Sequence, residues 1–143
     1  MKKLFLILAF FALFQFSKPP KEGIEGQVFW ISGNQMPGPG RGVSAQQGVS
    51  REIVVYQKLL DGQVQRDNQF VAELPGPPIA TDRSQPDGKF KIRLPPGEYS
   101  LFTREERGLF VNVIDRNGCL NCIVVQPRKF TWVTITVDYE AVY

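Results

Sequence analysis

At 143 residues the chain is long enough for one domain with a normal core, and its 43% apolar content is that of a globular protein. The formal charge is +3, and loss of Lys2 and Lys3 with a leader takes +3 to +1, so the basic balance leaves no footprint for nucleic acid. Histidine is absent, which strips Ser-His-Asp and Cys-His catalysis, His-ligated zinc and non-haem iron sites of their usual base or ligand.

Met1, Lys2 and Lys3, followed by the apolar run of residues 4–14, have the basic and hydrophobic regions of a secretory signal peptide. The run is short of the roughly 20 residues that a spanning helix needs. Residues 1–17 are therefore expected to be a cleaved leader, giving a mature chain with no membrane span and an extracytoplasmic address: periplasm, outer-membrane surface or medium. No cysteine lies near the cut to carry a lipid. Residues 18–23 form a polar lead without periodicity, and residues 24–143 form the domain.

The first strand is predicted over residues 24–31, with Ile24, Gly26, Val28 and Trp30 on one face and Gln27, Phe29 and Ile31 on the other. Apolar residues on both faces near its end predict a cover from outside. Residues 32–48 hold Met36-Pro37-Gly38-Pro39-Gly40 and read as a surface loop. Residues 52–57 are the most β-branched run and predict a strand. Residues 63–68 are polar enough for an exposed excursion, and 69–74 read as a short edge strand stopped by Pro75-Gly76-Pro77-Pro78. Residues 79–82 lead into a turn.

That turn is Pro86-Asp87-Gly88, after which Phe90, Ile92 and Leu94 alternate with Lys89, Lys91 and Arg93, the period of a strand with one buried and one wet face. Pro95-Pro96-Gly97 is a second turn, and residues 98–103 return with Tyr99 and Leu101 on one face, so the two segments predict a β-hairpin. Residues 104–108 are a charged turn and 109–114 another strand. Asn117-Gly118 marks a further turn, 123–125 are extended, and 131–139 close the chain. About seven short strands without helical periodicity predict an all-β protein, a single antiparallel β-sandwich.

Thr81-Asp82, Asp87-Gly88-Lys89-Phe90 and Leu94-Pro95-Pro96-Gly97-Glu98-Tyr99-Ser100-Leu101 resemble the carboxypeptidase regulatory-like family, small sandwiches of transthyretin-like, Ig-like Greek-key topology. The resemblance extends to residues 24–28 as first strand and residues 110–143 as closing strands. It implies a structural corner built on Asp87, Gly88, Pro95, Pro96, Gly97 and Tyr99. Members occur as appendages of peptidases and outer-membrane receptors and as stand-alone exported proteins, so the resemblance implies a fold and an address more than an activity. Hydroxyisourate hydrolases and intradiol dioxygenases, enzymes of related fold, depend on histidines that this chain lacks. Peptidase chemistry in the carboxypeptidases belongs to a separate zinc-binding domain.

Cys119 and Cys122 are the only cysteines. In an exported chain they are free to oxidise, and a disulfide across two residues requires a turn that brings the Cα atoms within ~7 Å. A redox pair, or free or metal-bound thiols, are the alternatives; thioredoxin-type pairs sit at a helix N-terminus, whereas valines follow here. Asp82 and Asp87 lack the spacing of a calcium loop and read as turn formers. No Asn near the end of the last strand offers an isopeptide partner, and no cofactor or metal is expected. Among the aromatics, Phe29, Trp30 and Trp132 are the candidates for an exposed binding patch.

The functional expectation is a non-catalytic exported module that binds, or associates structurally with, an unidentified protein or glycan at the bacterial cell envelope. The alternatives are a small extracytoplasmic enzyme, either a carboxylate-based hydrolase or a redox protein using Cys119 and Cys122, and an accessory subunit of an envelope peptidase or outer-membrane receptor.

Overall fold

A computed structural model describes residues 18–40, 42, 46–72, 74 and 76–143; the leader expected over residues 1–17 lies outside the described residues. In chain order the strands are β1 (Gly23–Asn34), β2 (Gln47–Gly48), β3 (Glu52–Gln57), β4 (Arg66–Asp67), β5 (Phe70–Val71), β6 (Ala80–Arg83), β7 (Lys89–Arg93), β8 (Gly97–Glu105), β9 (Gly108–Phe110), β10 (Cys122–Val125) and β11 (Phe130–Val142). One turn of 3-10 helix, Asp61–Gln63, follows β3, and there is no α-helix among the described residues. The strands form two packed sheets, the all-β sandwich that the alternation of the sequence predicts.

In the first sheet β1 is central. One of its edges takes β11, and the other takes β7 and then β2, end to end. In the second sheet β8 is central, with β3 and then β6 on one edge. Its other edge is shared: β10 lies against Gly97 to Ser100, and β9 lies against Thr103 to Glu105 and continues through β5 to β4. One pairing departs from the antiparallel pattern. β1 and β11 run parallel, Gly23 beside Phe130 and Trp30 beside Val137, with a bulge before Ser32 pairs Glu140.

The alternation around Lys89 to Leu94 is present, with Phe90, Ile92 and Leu94 buried and Lys89, Lys91 and Arg93 exposed. The hairpin is not. β7 pairs with β1 in the first sheet, and β8 pairs in the second, so Pro95 and Pro96 carry the chain across the sandwich. The physical reason is that Phe90 and Ile92 on β7 and Tyr99 and Leu101 on β8 all face the same interior from opposite sides. Pairing them in one sheet would leave half of that core uncovered.

The interior between the sheets contains Ile24, Val28, Phe90, Ile92, Ile135 and Val137 from the first and Ile53, Val55, Phe70, Tyr99, Leu101 and Phe110 from the second. A second cluster lies on the outer face of the second sheet, where Val54, Val71, Phe102 and Leu109 pack under Leu59, Val64, Val111 and Leu120. β3 and β8 are therefore covered on both sides, which is why Ile53, Val54 and Val55 form an unbroken apolar run. The cover expected over Phe29 and Ile31 is not formed to the same degree; both remain half-buried.

Several segments differ from their predicted form: the loop of 32–48 gives up its ends to β1 and β2, and the excursion of 63–68 contains β4. The edge strand expected over residues 69–74 is the two-residue β5, which is internal, pairing with both β4 and β9. The strand expected over 109–114 leaves the sheet after Phe110, because Val111 onward crosses the outer face as its cover. Residues 79–82 read as a lead-in, but Ala80–Arg83 form β6 against β3; three of its four side chains are exposed, so it carries no alternation signal.

Replacing Phe102, which is fully buried, with Ala should lower unfolding free energy by ~3 to 5 kcal/mol in urea titrations. Thr134→Ala, on an exposed face, should change it by no more than ~0.5 kcal/mol.

Candidate interaction surface

The corner residues act on the backbone. The Asp87 carboxylate accepts the amide of Lys89 at 3.0 Å, closing its own turn. Gly88 has φ +89°, and its carbonyl accepts the Val28 amide at 2.9 Å; a Cβ there would fall 2.1 Å from the Val28 carbonyl oxygen. Across the sandwich the Tyr99 hydroxyl, buried, donates to the Pro95 carbonyl at 2.6 Å and holds the crossing from β7 to β8. Burial pushes the Tyr99 phenol above its ordinary pKa. Asp87, Gly88 and Tyr99 act here by positioning strands.

Cys119 and Cys122 come to disulfide distance, with Cα atoms 5.7 Å apart. Between them lies Asn121, at φ 45°, whose role the sequence shows only as turn propensity. Its amide nitrogen donates to Leu101 O at 2.8 Å and Phe110 O at 3.0 Å, and its oxygen accepts from Asn112 N at 3.1 Å and Val113 N at 3.0 Å. That position is the gap on the β8 edge between β10 and β9. The side chain completes a ladder that the two strands leave open.

Phe29, Trp30 and Trp132 do not form one patch. Neighbours on a strand face opposite ways, and Trp30 turns inward, edge-on to Tyr139 with ring centres 5.2 Å apart. The Arg51 guanidinium lies 5.4 Å from the Trp30 ring and pairs with Glu105 at 3.2 Å. Glu105, whose side chain is only 5% exposed, also accepts the Tyr139 hydroxyl at 3.1 Å. Burial first, and Glu105 second, push the Tyr139 phenol up to about 12. The carboxylate is thus committed to a structural network at one end of the sandwich, sealed by the rings of Phe70 and Phe110 against Tyr139. Phe29, half-buried, stands beside Thr136, whereas Trp132 stands beside Glu25.

Trp132 is 58% exposed. It borders two surface grooves. On the first-sheet side one groove runs past Glu25, Lys89, Lys91, Asp82 and Arg83. Lys91 there lies 4.1 Å from the Phe130 ring centre and 3.8 Å from Glu25. On the other side a groove follows the seam between β11 and β10, with Ile123, Val124 and Thr131 on its walls. It deepens into a cavity of about 140 Å³ floored by Leu101, Asn121 and Ile135. Val113 and Val124, 56% and 51% exposed, add apolar surface along this seam. Sequence reasoning found Trp132 but not the seam, which exists because the chain passes from the second sheet to the first between Val125 and Phe130, a crossing that the turn residues do not reveal.

No group of three or more His, Cys, Asp or Glu side chains is placed to hold a metal among the described residues. No helix among them is long and apolar enough to cross a membrane. No family model, curated protein or solved structure matches the chain.

Asn121→Ala should cost ~2 to 4 kcal/mol, because it leaves two carbonyls and two amides without partners in a buried place, and chemical denaturation reads this directly. The Tyr139 hydroxyl has its pKa raised in the folded state. Its contribution is therefore complete below the unfolded value near 10 and is lost as pH climbs through about 12. The stability advantage of the natural chain over Tyr139→Phe should shrink across that window and stay flat below it.

Proposed function

We propose that the chain is a non-catalytic β-sandwich of carboxypeptidase regulatory-like type, exported to the bacterial cell envelope, where it works by binding or structural association with a protein or glycan. The observation that carries the reading is Trp132, a large ring left mostly in water between two grooves, on a strand whose other face already supplies the core. Such exposure gains nothing for folding, and a rigid aromatic with an apolar surround is the commonest anchor of a binding surface. The export part of the proposal rests on the leader of residues 1–17 and on the family resemblance at the corner.

The enzyme readings draw less support. Cys119 is almost wholly buried, and the element that bridges to it through Leu60 is a single 3-10 turn rather than the α-helix N-terminus that activates a thiolate. Glu105, the carboxylate most withdrawn from water among the ion pairs, is already taken by Arg51 and Tyr139. Cys119 and Cys122 serve instead as a local staple around Asn121.

The test is photo-crosslinking in cells from a benzophenone amino acid at position 132, with position 81, exposed on β6, as the comparison. Adducts from 132 and not from 81 are expected, and Trp132→Ala should weaken association with the captured component about tenfold or more while leaving the melting temperature unchanged. Equal labelling at both positions, or none at 132, would remove this surface from the proposal. Recovery of uncleaved chain from cytosol would remove the address.

A further inference from the structure

A sheet edge is a row of unpaired amides and carbonyls, and proteins normally blunt it with charge, proline, bulges or brevity. Most edges here are blunted in this way. β4 is two residues long, β6 sets Asp82 and Arg83 along its exposed side, β7 carries Lys89, Lys91 and Arg93, and β10 is four residues long and is followed within two residues by Pro127. β11 is different. One of its edges is bonded to β1, and the other carries no backbone pairing among the described residues. From Phe130 to Val137, ahead of the bulge, it has eight residues with no charge, no glycine and no proline, rich in β-branched and aromatic side chains.

The charges lie at its two ends. Arg128 and Lys129 precede the run, and Asp138 and Glu140 follow it. None of the four makes an ion pair within the described chain, and Arg128 and Glu140 are exposed. A strand that is positive at its beginning, neutral in its middle and negative at its end is complementary to an antiparallel copy of itself. A parallel copy would set like charges side by side. Resting on the binding reading above, we infer that the occupant of this edge is a second copy of the chain, added antiparallel along β11 about a two-fold axis through Thr134.

That axis is the register that keeps inner faces with inner faces. It sets Val133 of one copy opposite Ile135 of the other and Trp132 opposite Thr136, each twice by symmetry, and brings the basic turn of Arg128 and Lys129 to the end of the partner strand that carries Asp138 and Glu140. The two four-stranded sheets become one continuous sheet of eight, and Trp132 covers the outer face of the junction. The apolar wall of the β10 seam comes to lie beneath the added strand.

Sedimentation of the full chain across a concentration series should give a species of twice the chain mass whose dissociation constant rises severalfold at high salt. Thr134→Lys, which brings two like charges together at the axis on an exposed face, should return it to monomer, and at a dilution where the natural chain is itself monomeric the two should share one unfolding midpoint. Arg128→Glu alone and Glu140→Arg alone should each weaken the dimer about tenfold, and the double reversal should restore it. Thr134→Cys should oxidise to a covalent dimer, since residues facing each other across a two-fold axis lie within disulfide reach. A single monomer mass at every concentration, or a dimer indifferent to Thr134→Lys and to the charge reversals, would overturn the inference. A monomer that still crosslinks from position 132 to another component also overturns the second copy as occupant, while leaving the binding surface itself intact.

Discussion

The second sheet depends on one amide side chain. β8 is nine residues long, and no single strand runs its full length on the side away from β3; β10 covers the first half and β9 the second. At the join, backbone groups of Leu101 and Phe110 would be buried without partners, a cost of several kcal/mol that no core contact offsets. Asn121 has two donors and an oxygen with two lone pairs, the inventory the join requires, and it spends all of them there. Asn121 lies in the left-handed region between two cysteines at disulfide distance, so this short turn supports the central strand from outside.

From this join the outer core follows. Residues after Phe110 are released from the sheet and drawn across its outer face, where Val111 and Leu120 meet Leu59 and Val64 over Val54 and Phe102. The backbone bond from Leu120 N to Leu59 O ties the two covering segments to each other. A domain of this size thereby gains two apolar layers instead of one, and β3 and β8 are covered on both faces.

Much of the architecture is legible in the sequence because it is written in short-range pattern. Phe90, Ile92 and Leu94 against Lys89, Lys91 and Arg93 give the strand, its buried face and its exposed face. Asp87-Gly88 and Pro95-Pro96-Gly97 give its limits. Which strand it pairs with is not legible, because a turn of this composition serves equally between neighbours in one sheet and across two, and only the destination of Tyr99 and Leu101 decides. The same holds for the surface. Trp132 is visible as an aromatic on an alternating strand, but Trp30 has the same appearance and is half-buried against Arg51 and Tyr139; the difference lies in Glu105, seventy-five residues further along. Asn121 is invisible for a like reason. Three segments must converge before its amide has anything to bond.

β1 and β11 are parallel neighbours, with eleven paired residues between them, so the start of the domain and its finish emerge at opposite poles of the sandwich. A tension applied through the segments that lead into β1 and out of β11 would slide these two strands lengthwise past each other. Every rung between them would bear a share of the load together, rather than yielding one after another as in a zipper pulled from its end. A tether attached at either pole thus loads the β1–β11 ladder in shear.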